Sequence, residues 1–374
     1  MGYEVDFLPV GEGERCGDAI ALRFGNLTGS RNEQKVWVID GGTKESGEAL
    51  VAHIKKYYGT DRVDVVVSTH PDSDHCSGLS VVLEQMKVGV LLMHQPWNHA
   101  EEIHRLFDDD RVTPSVIEER VWRALQDARE LEKIATRKGI KIIEPFSDNG
   151  VAQLMLNAKV YVLGPSKAFY QKQLANFRCM PEVAQQAQNR ARIAELIEML
   201  KAGAKEAARA LETWFEETLA DPEDDATSAE NNSSVVLLFE LDGRRLLFTA
   251  DAGVPALTEA ANRAEALDID LRSIKFIQVP HHGSKRNVGP TILNRIIGPI
   301  KPSKESYDKT AYVSASKGGQ PKHPAKKVVN AFKRRGAEVF ATQGIALCYR
   351  SSDAPQRENW NAATPLPFYN EVDE

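Results

Sequence analysis

Residues 65–79 read VVVSTHPDSDHCSGL, a run of β-branched residues followed at once by two histidines and two aspartates. The apolar run is typical of a buried strand. His70, Asp72, Asp74 and His75 come where that strand stops, and a loop there lets several side chains converge. Imidazole and carboxylate groups are the ligands that divalent metals require. The stretch therefore predicts a strand that delivers a metal site, although alone it also fits a solvated, aspartate-rich turn.

The same layout, an apolar strand followed by an acid or a histidine, occurs twice more in the chain. Asp251 ends RRLLFTAD, and His281 and His282 follow FIQVP. Three such strand ends on one rim of a sheet favour a metal site over the turn.

Alternating strand and helix patterns predict an α/β protein. The Asp-Gly pair in SVVLLFELDGRRLLFTAD predicts a β-hairpin. Helical segments are expected at about 96–139 and 167–229, inserted in one domain that covers residues 1–350. Within the second segment an amphipathic stripe predicts a long helix over about 182–220, packed in the core or against a partner. The polar, proline-containing tail at 351–374 is expected to be weakly ordered.

Composition restricts the class of protein. The net charge of −6 rules out a global basic field, so any nucleic-acid binding needs a local patch. The four cysteines are scattered, which fits a reducing compartment. The acidic N-terminus does not resemble a signal peptide, and no apolar run is long enough to cross a bilayer. We expect a cytoplasmic protein that does not enter a membrane.

Six motifs follow one another in the order VGEGERCGDAI, VIDGG, HPDSDH, NNSSVVLLF, LLFTAD and VPHHGS, and a final KHP contains His323. In this order they resemble the metallo-β-lactamase superfamily, and more specifically its ComEC-type domain, over about residues 7–347. Three departures are visible. The opening motif has extra residues between Gly13 and Asp18, Ala250 stands where relatives have glycine before Asp251, and the segment from Pro165 to Asn231 is much longer.

The resemblance implies an αββα sandwich with a helical insertion and a site for two divalent metal ions, Zn²⁺ or Mn²⁺. His70 and Asp72 would bind one metal, Asp74 and His75 the other, and Asp251 would bridge them.

One of His281 and His282 would complete the second metal, and the other would contact substrate or donate a proton; the sequence does not choose between them. Asn231 and Asn232 stand where the family has its third histidine on the first metal. With Asp72 in place of a histidine as well, the site is rich in oxygen ligands, which favours manganese or one labile metal.

Further residues are assigned supporting parts. Asp74, His282 and His323 are the candidate catalytic residues. Asp40 is expected to hold a ligand histidine through its other ring nitrogen, or to form a turn. Ser284 and Lys285, which follow the histidine pair, are candidates for contact with an anionic substrate group.

The function that these patterns favour is a metallohydrolase, most specifically a phosphodiesterase or nuclease acting on DNA or RNA. Nucleic acid would bind a local basic patch formed by seven cations, Lys317, Lys322, Lys326, Lys327, Lys333, Arg334 and Arg335, with Lys285 and Arg286 near the site. The first alternative is hydrolysis of a small phosphoester or a lactone. The second is a binding component of a larger system, such as a defence system, whose helical insertion contacts a protein partner or a second copy of the chain.

Overall fold

The computed structural model describes residues 1–11, 17–107, 111–155, 157–180, 209–223, 225–304, 306–318, 323–358, 360 and 362–373. The strands are β1 (Gly2–Phe7), β2 (Ala19–Gly25), β3 (Gln34–Gly41), β4 (Arg62–Val67), β5 (Lys87–Leu92), β6 (Lys141–Ile143), β7 (Val151–Met155), β8 (Ala158–Gly164), β9 (Arg209–Leu211), β10 (Val236–Leu241), β11 (Arg244–Phe248), β12 (Phe276–Gln278), β13 (Lys309–Val313), β14 (Ala337–Ala341), β15 (Leu347–Arg350) and β16 (Glu371–Asp373). The α-helices are α1 (Lys44–His53), α2 (Ser73–Cys76), α3 (Leu79–Gln85), α4 (Ala100–Ile103), α5 (Pro114–Ala124), α6 (Gln126–Lys138), α7 (Lys167–Leu174), α8 (Ala229–Asn232), α9 (Val254–Ala266), α10 (Pro290–Ile296) and α11 (Lys326–Arg334).

Two seven-stranded sheets form the body of the protein, and each is antiparallel in one half and parallel in the other. The first has the order β15-β1-β2-β3-β4-β5-β6, with parallel pairing from β3 to β6. The second has the order β14-β13-β12-β11-β10-β8-β7, with parallel pairing from β11 to β14. Each parallel half places the carboxyl ends of several strands at one edge, where polar side chains can gather.

The two sheets pack face to face, because each presents apolar side chains on its inner face. Aromatic rings dominate this layer, and Trp37 of the first sheet meets Phe239 of the second edge-on at 5.0 Å between ring centroids. Helices cover the outer faces: α1, α3 and α6 pack on the first sheet, and α9, α10 and α11 pack on the second. This αββα sandwich confirms the predicted fold class.

The predicted hairpin is present as β10 and β11, which pair antiparallel in the register Leu241 to Arg244. Its two turn residues, Asp242 and Gly243, have φ angles of 52° and 76°. Positive φ at both positions matches the right-handed twist of the flanking strands, which is why Asp-Gly marks such turns.

The second predicted helical segment begins with a helix, α7 (Lys167–Leu174), but its described residues 209–223 are not helical. Most of the amphipathic stripe, residues 181–208, lies outside the described residues. The residues that follow are not helical: Arg209–Leu211 form β9, which pairs with β16 from the end of the chain. Trp214 lies buried, with its indole N–H donating to the carbonyl of Lys301 at 2.7 Å. Here tertiary pairing overrides a helical pattern of apolar residues.

The tail after Ser351 is a packed strap, which corrects the expectation of weak order. Arg357 donates to both carboxylate oxygens of Asp6, at 2.6 and 2.8 Å, and its guanidinium lies 4.7 Å from the ring centre of Trp360. Further along, Leu366 N–H donates to Val339 O at 2.8 Å. A buried ion pair and backbone hydrogen bonds fix this segment despite its polar composition.

No helix in the described ranges combines the length and the apolar character needed to cross a bilayer.

Candidate metal centre

Three strands deliver the site in the same way. β4 ends at Val67, β11 at Phe248 and β12 at Gln278, and the residues three positions further along are His70, Asp251 and His281. β4 belongs to the parallel half of the first sheet, and β11 and β12 are parallel neighbours in the second. A hydrogen bond from Val235 N to Thr69 O, 3.0 Å, joins the two halves beside the site. The predicted clusters therefore meet where the two sheets adjoin.

Asp251 lies at the centre of four imidazole rings. Its Oδ2 atom is 3.4 Å from His75 Nε2 and 3.9 Å from His70 Nε2 on one side. On the other side it is 3.8 Å from His281 Nε2 and 3.7 Å from His282 Nε2. All five residues were predicted as metal ligands, and the structure brings them together.

The two histidines of the first sheet direct their Nε2 atoms toward Asp251, because hydrogen bonds on the other side of each ring hold the Nδ1 atoms. Asp40 Oδ2 lies 2.9 Å from His75 Nδ1 and accepts the Thr69 hydroxyl proton at 2.6 Å. That hydroxyl in turn accepts from His70 Nδ1 at 3.0 Å. With both Nδ1–H groups donated, each ring presents a lone pair at Nε2, as a metal-ligating histidine does.

The histidines of the second sheet have different partners. His282 Nδ1 donates to the carbonyl of Ser314 at 3.0 Å, which leaves a lone pair on Nε2 facing Asp251. His281 Nδ1 lies 3.0 Å from the side-chain amide of Asn231, and this contact orients the ring.

Asp74 joins the donor group, and Asp72 does not. A carboxylate oxygen of Asp74 and the nitrogens of His75 and His282 all lie within 4.8 Å of one another. Among the described residues, no such donor group includes Asp72. Its carboxylate instead accepts from Arg178 Nη2, at 2.9 and 3.2 Å. The assignment of Asp72 as a metal ligand stays a prediction; in this structure its carboxylate is paired with Arg178.

The remaining predicted residues lie around this centre. Asn231 and Asn232 are buried, and the Oδ1 atom of each has no hydrogen-bond partner among the described residues. His323 is near the second sheet's histidines, with its ring centroid 6.4 Å from that of His282. Ser284 is buried and its Oγ accepts from Arg286 N at 3.3 Å, so it closes a turn rather than facing solvent.

Two buried residues outside the predicted site set adjoin the centre, Asp18 and Gln278. Asp18 Oδ2 accepts from Gln278 Nε2 at 2.7 Å and lies 3.7 Å from His75 Nδ1. The sequence signal for Asp18 was the glycine-rich opening motif, which ends at this residue. Nothing local marks Gln278, because its partner is 260 positions away along the chain.

Burial and crowded charges shift the pKa values of these groups. Burial alone would raise the pKa of Asp251, but His75, His281 and His282 outweigh it and hold that pKa well below its usual range. Burial likewise would lower the pKa of His75, but Asp251 and Asp40 raise it well above the ordinary value. Burial lowers the pKa of His282 to about 3, so that ring is neutral at physiological pH.

Buried atoms without hydrogen-bond partners test whether a metal fits here. His70 Nε2, His75 Nε2 and Asp251 Oδ1 are buried and have no hydrogen-bond partner in the part of the chain that the structure describes. Buried polar atoms are otherwise almost always paired, so such a cluster of lone pairs requires a cation. Imidazole nitrogens with carboxylate oxygens suit Zn²⁺ and Mn²⁺. The donor set fits a divalent metal.

Three of the seven cations of the predicted basic patch are buried, which corrects that prediction for them. Arg334 Nη1 donates to Glu212 Oε2 at 3.0 Å, and Arg335 donates to both oxygens of Glu217, at 2.7 and 2.9 Å. Lys333 is buried beside them. Carboxylates inside the protein therefore neutralise Arg334 and Arg335, whereas Lys333 Nζ donates to the carbonyl of Leu366 at 2.8 Å.

The other cations of that patch have different surroundings. Lys317 and Lys285 are exposed, and Lys326 and Lys327 are half-buried. Lys322 lies outside the described residues.

Comparison with known proteins agrees with this architecture. The model of the family described as "Metallo-beta-lactamase superfamily" matches residues 27–135, which include His70, Asp74 and His75. Over this stretch, which is less than a third of the chain, the sequence matches the metallo-β-lactamase superfamily. It is also 29% identical over 130 residues to "ComE operon protein 3" of Bacillus subtilis (strain 168). That alignment covers 34% of this chain and only 15% of the relative, so the relation is distant and spans a small part of that protein.

Two solved structures align with most of this chain at low sequence identity. The "metallo-beta-lactamase fold protein YhfI from Bacillus subtilis" is 8% identical, with a TM-score of 0.42 over 94% of this chain and 100% of that one. The Zn²⁺-bound PqqB from Methylobacterium extorquens is 11% identical, with a TM-score of 0.38 over 92% of this chain and 99% of that one. The family match over residues 27–135 and the His/Asp donor set together indicate a metal-binding hydrolase.

Proposed function

We propose that the protein is a metal-dependent phosphodiesterase and that its substrate is a nucleic acid. The observation that carries the proposal is the set of imidazole lone pairs around Asp251, with the Asp74 carboxylate beside them. Such a site supports hydrolysis, because mixed imidazole and carboxylate donors hold divalent cations that neutralise charge on substrate oxygens.

Five residues would hold two divalent ions, Zn²⁺ or Mn²⁺: His70, His75, Asp251, His282 and Asp74. When bound, divalent ions at such a site activate water at neutral pH and neutralise charge that develops on phosphate oxygens. The buried, unpartnered Oδ1 of Asn231 is a further candidate donor.

The chain's own groups have distinct parts in this scheme. Asp74 is half-buried at the rim, where it can orient the attacking water through its second oxygen. The side chain of His281 is 31% exposed and its Nε2 lies 3.8 Å from Asp251 Oδ2, so it is placed to give a proton to the leaving oxygen. His282, with its lone pair toward Asp251, suits the ligand position, which supports dividing the pair in this way.

The cations beside the metal site favour an anionic, extended substrate. The side chain of Arg178 is 55% exposed beside Asp72, and Lys285 is exposed directly after the histidine loop. Cations at the mouth of a metal site attract phosphate groups from solution. The side chains of Arg178 and His281 are partly exposed beside the site, so both can contact a substrate from solution.

The test is cleavage of end-labelled single- and double-stranded DNA, and of RNA, in the presence of Mn²⁺ or Zn²⁺. Asp74→Asn keeps the shape of the side chain and removes its charge, so it should abolish cleavage. Asp61→Asn, at an exposed surface ion pair with Lys87, is the matched control and should cleave normally. Added salt should suppress the reaction steeply, because a polymer substrate releases counterions on binding.

Other results would redirect the assignment. Metal-dependent cleavage of a small phosphodiester or a lactone, without cleavage of nucleic acid, would support the small-substrate alternative. Folded, metal-loaded protein that cleaves none of these would contradict the phosphodiesterase proposal and favour a binding component.

A further inference from the structure

The peptide turn that carries Asp251 is in an unfavourable conformation. Ala250, the residue before it, has a φ of 45°, in the left-handed region that a side chain with a Cβ rarely adopts. Such a conformation persists only where the surroundings hold it in place. The position of the central carboxylate therefore depends on what fixes this turn.

Gln278 fixes the turn from the neighbouring strand. Its Oε1 atom accepts hydrogen bonds from both Thr249 N, at 3.1 Å, and Ala250 N, at 3.0 Å. The Thr249 hydroxyl returns a hydrogen bond to Gln278 O at 2.9 Å. Gln278 is 1% exposed, so no solvent molecule is available to replace these contacts.

Asp18 fixes the orientation of that amide. Its Oδ2 atom accepts from Gln278 Nε2 at 2.7 Å, which directs the amide oxygen toward the turn. Asp18 is 2% exposed and comes from the first sheet, whereas Gln278 ends β12 of the second. The same carboxylate lies 3.7 Å from His75 Nδ1. Hydrogen bonds thus link Asp18 of the first sheet to the turn before Asp251 in the second, and Asp18 also lies in electrostatic contact with His75.

We propose that Asp18 and Gln278 are positioning residues that hold the Thr249–Ala250 turn, so that the Asp251 carboxylate meets the imidazoles and a bound metal ion. The inference rests on the metal site of the proposed function, and it concerns metal binding rather than the identity of the substrate. Gln278 acts through the turn that precedes Asp251, and Asp18 acts through the Gln278 amide.

The experiment is a titration of the purified, metal-free full chain with Co²⁺, followed by visible absorption. Gln278→Met removes both the acceptor and the donor while keeping the length of the side chain. It should weaken Co²⁺ binding by about tenfold to 100-fold and change the absorption spectrum, as loss of a group that orients a ligand does. Circular dichroism on the same samples shows whether each variant is folded.

Exchanging the Gln278 amide and the Asp18 carboxylate distinguishes a positioning role from a packing role. Gln278→Glu keeps the acceptor for the turn but sets a second carboxylate against Asp18, so Co²⁺ binding above neutral pH should weaken. Adding Asp18→Asn lets the introduced amide donate to that carboxylate. The D18N/Q278E double variant should therefore recover binding to within about threefold of the unaltered protein, given the usual size of one hydrogen bond.

The outcomes are distinct. Folded Gln278→Met that binds Co²⁺ with unaltered affinity and spectrum would overturn the inference, even if its melting temperature falls. Failure of Asp18→Asn to repair Gln278→Glu would overturn the link through Asp18. If the unaltered protein takes up no Co²⁺, the proposed function fails, and this inference with it.

Discussion

Replacing Arg334 with methionine distinguishes the structural role of this residue from the predicted nucleic-acid patch. The Arg334 side chain is 0% exposed. Its guanidinium donates to Glu212 Oε2 at 3.0 Å, to Trp214 O and Glu216 O at 2.9 Å each, and to Thr213 O. These contacts attach α11 to the segment that follows β9, so their loss should destabilise the fold.

The size of the loss follows from what remains around Glu212. Breaking a buried ion pair costs about 3–5 kcal/mol of unfolding free energy, because the other charge stays buried. Glu212 keeps a hydrogen bond from Asn330 Nδ2 at 2.6 Å and another from Thr218 N at 2.9 Å. We therefore expect the lower end of that range, about 3 kcal/mol for Arg334→Met.

Urea unfolding followed by circular dichroism measures this change. Lys327→Met, on the same helix but half-buried, is the control and should change stability by no more than about 0.5 kcal/mol. The E212Q/R334M double variant should lose less than the sum of the two single variants, because the carboxylate charge is gone as well. An Arg334→Met protein of unchanged stability, with weaker nucleic-acid binding and a salt slope reduced by about 1, would refute this reasoning.

Three further predictions concern single side chains. Arg178→Gln should raise KM for a phosphodiester and leave stability within about 1 kcal/mol, because the side chain is mostly exposed; steady-state kinetics and urea unfolding check both. Burial lowers the pKa of His94 to about 3, so the unfolded chain takes up the proton first and stability should fall by about 2 kcal/mol from pH 7 to pH 5. His94→Phe should abolish this loss of stability between pH 7 and pH 5, measured by urea unfolding at both pH values. An unchanged loss would contradict the prediction. Burial would raise the pKa of Asp6, but His53 and Arg357 hold it well below its usual range, so this stability is complete above about pH 4 and is lost as the pH drops further. Arg357→Gln should weaken that contribution and expose the strap to limited proteolysis, and equal protease resistance would count against it.

The donor residues at the strand ends could be predicted from the sequence because the patterns that mark them are local. A β-branched run followed within a few residues by His70, Asp74 and His75 marks both the strand and the donors. The same holds for Asp251 and for the histidine pair. Short-range patterns of this kind specify which side chains leave a strand together, whatever the rest of the chain does.

What sequence reasoning missed depends on long-range contacts. The charge of Arg334 is visible in the sequence, but its burial is not, because its partner Glu212 lies 122 positions away. Likewise the chain gives no local sign that Arg178 would occupy both oxygens of Asp72 from 106 positions away. A polar, proline-containing tail looks disordered until Arg357 is seen against Asp6.

The position of the donors between the two sheets has a consequence for how the protein holds together. His70 and Asp251 are separated by about 180 residues along the chain. A cation shared between them would close a loop of that length, and in the chain-entropy description a cross-link of this span is worth about 5 kcal/mol. Metal binding would then stabilise the contact between the two sheets as well as supply a chemical reagent. A chelator that stops the reaction would at the same time lower the free energy of unfolding, since the same ion serves both purposes.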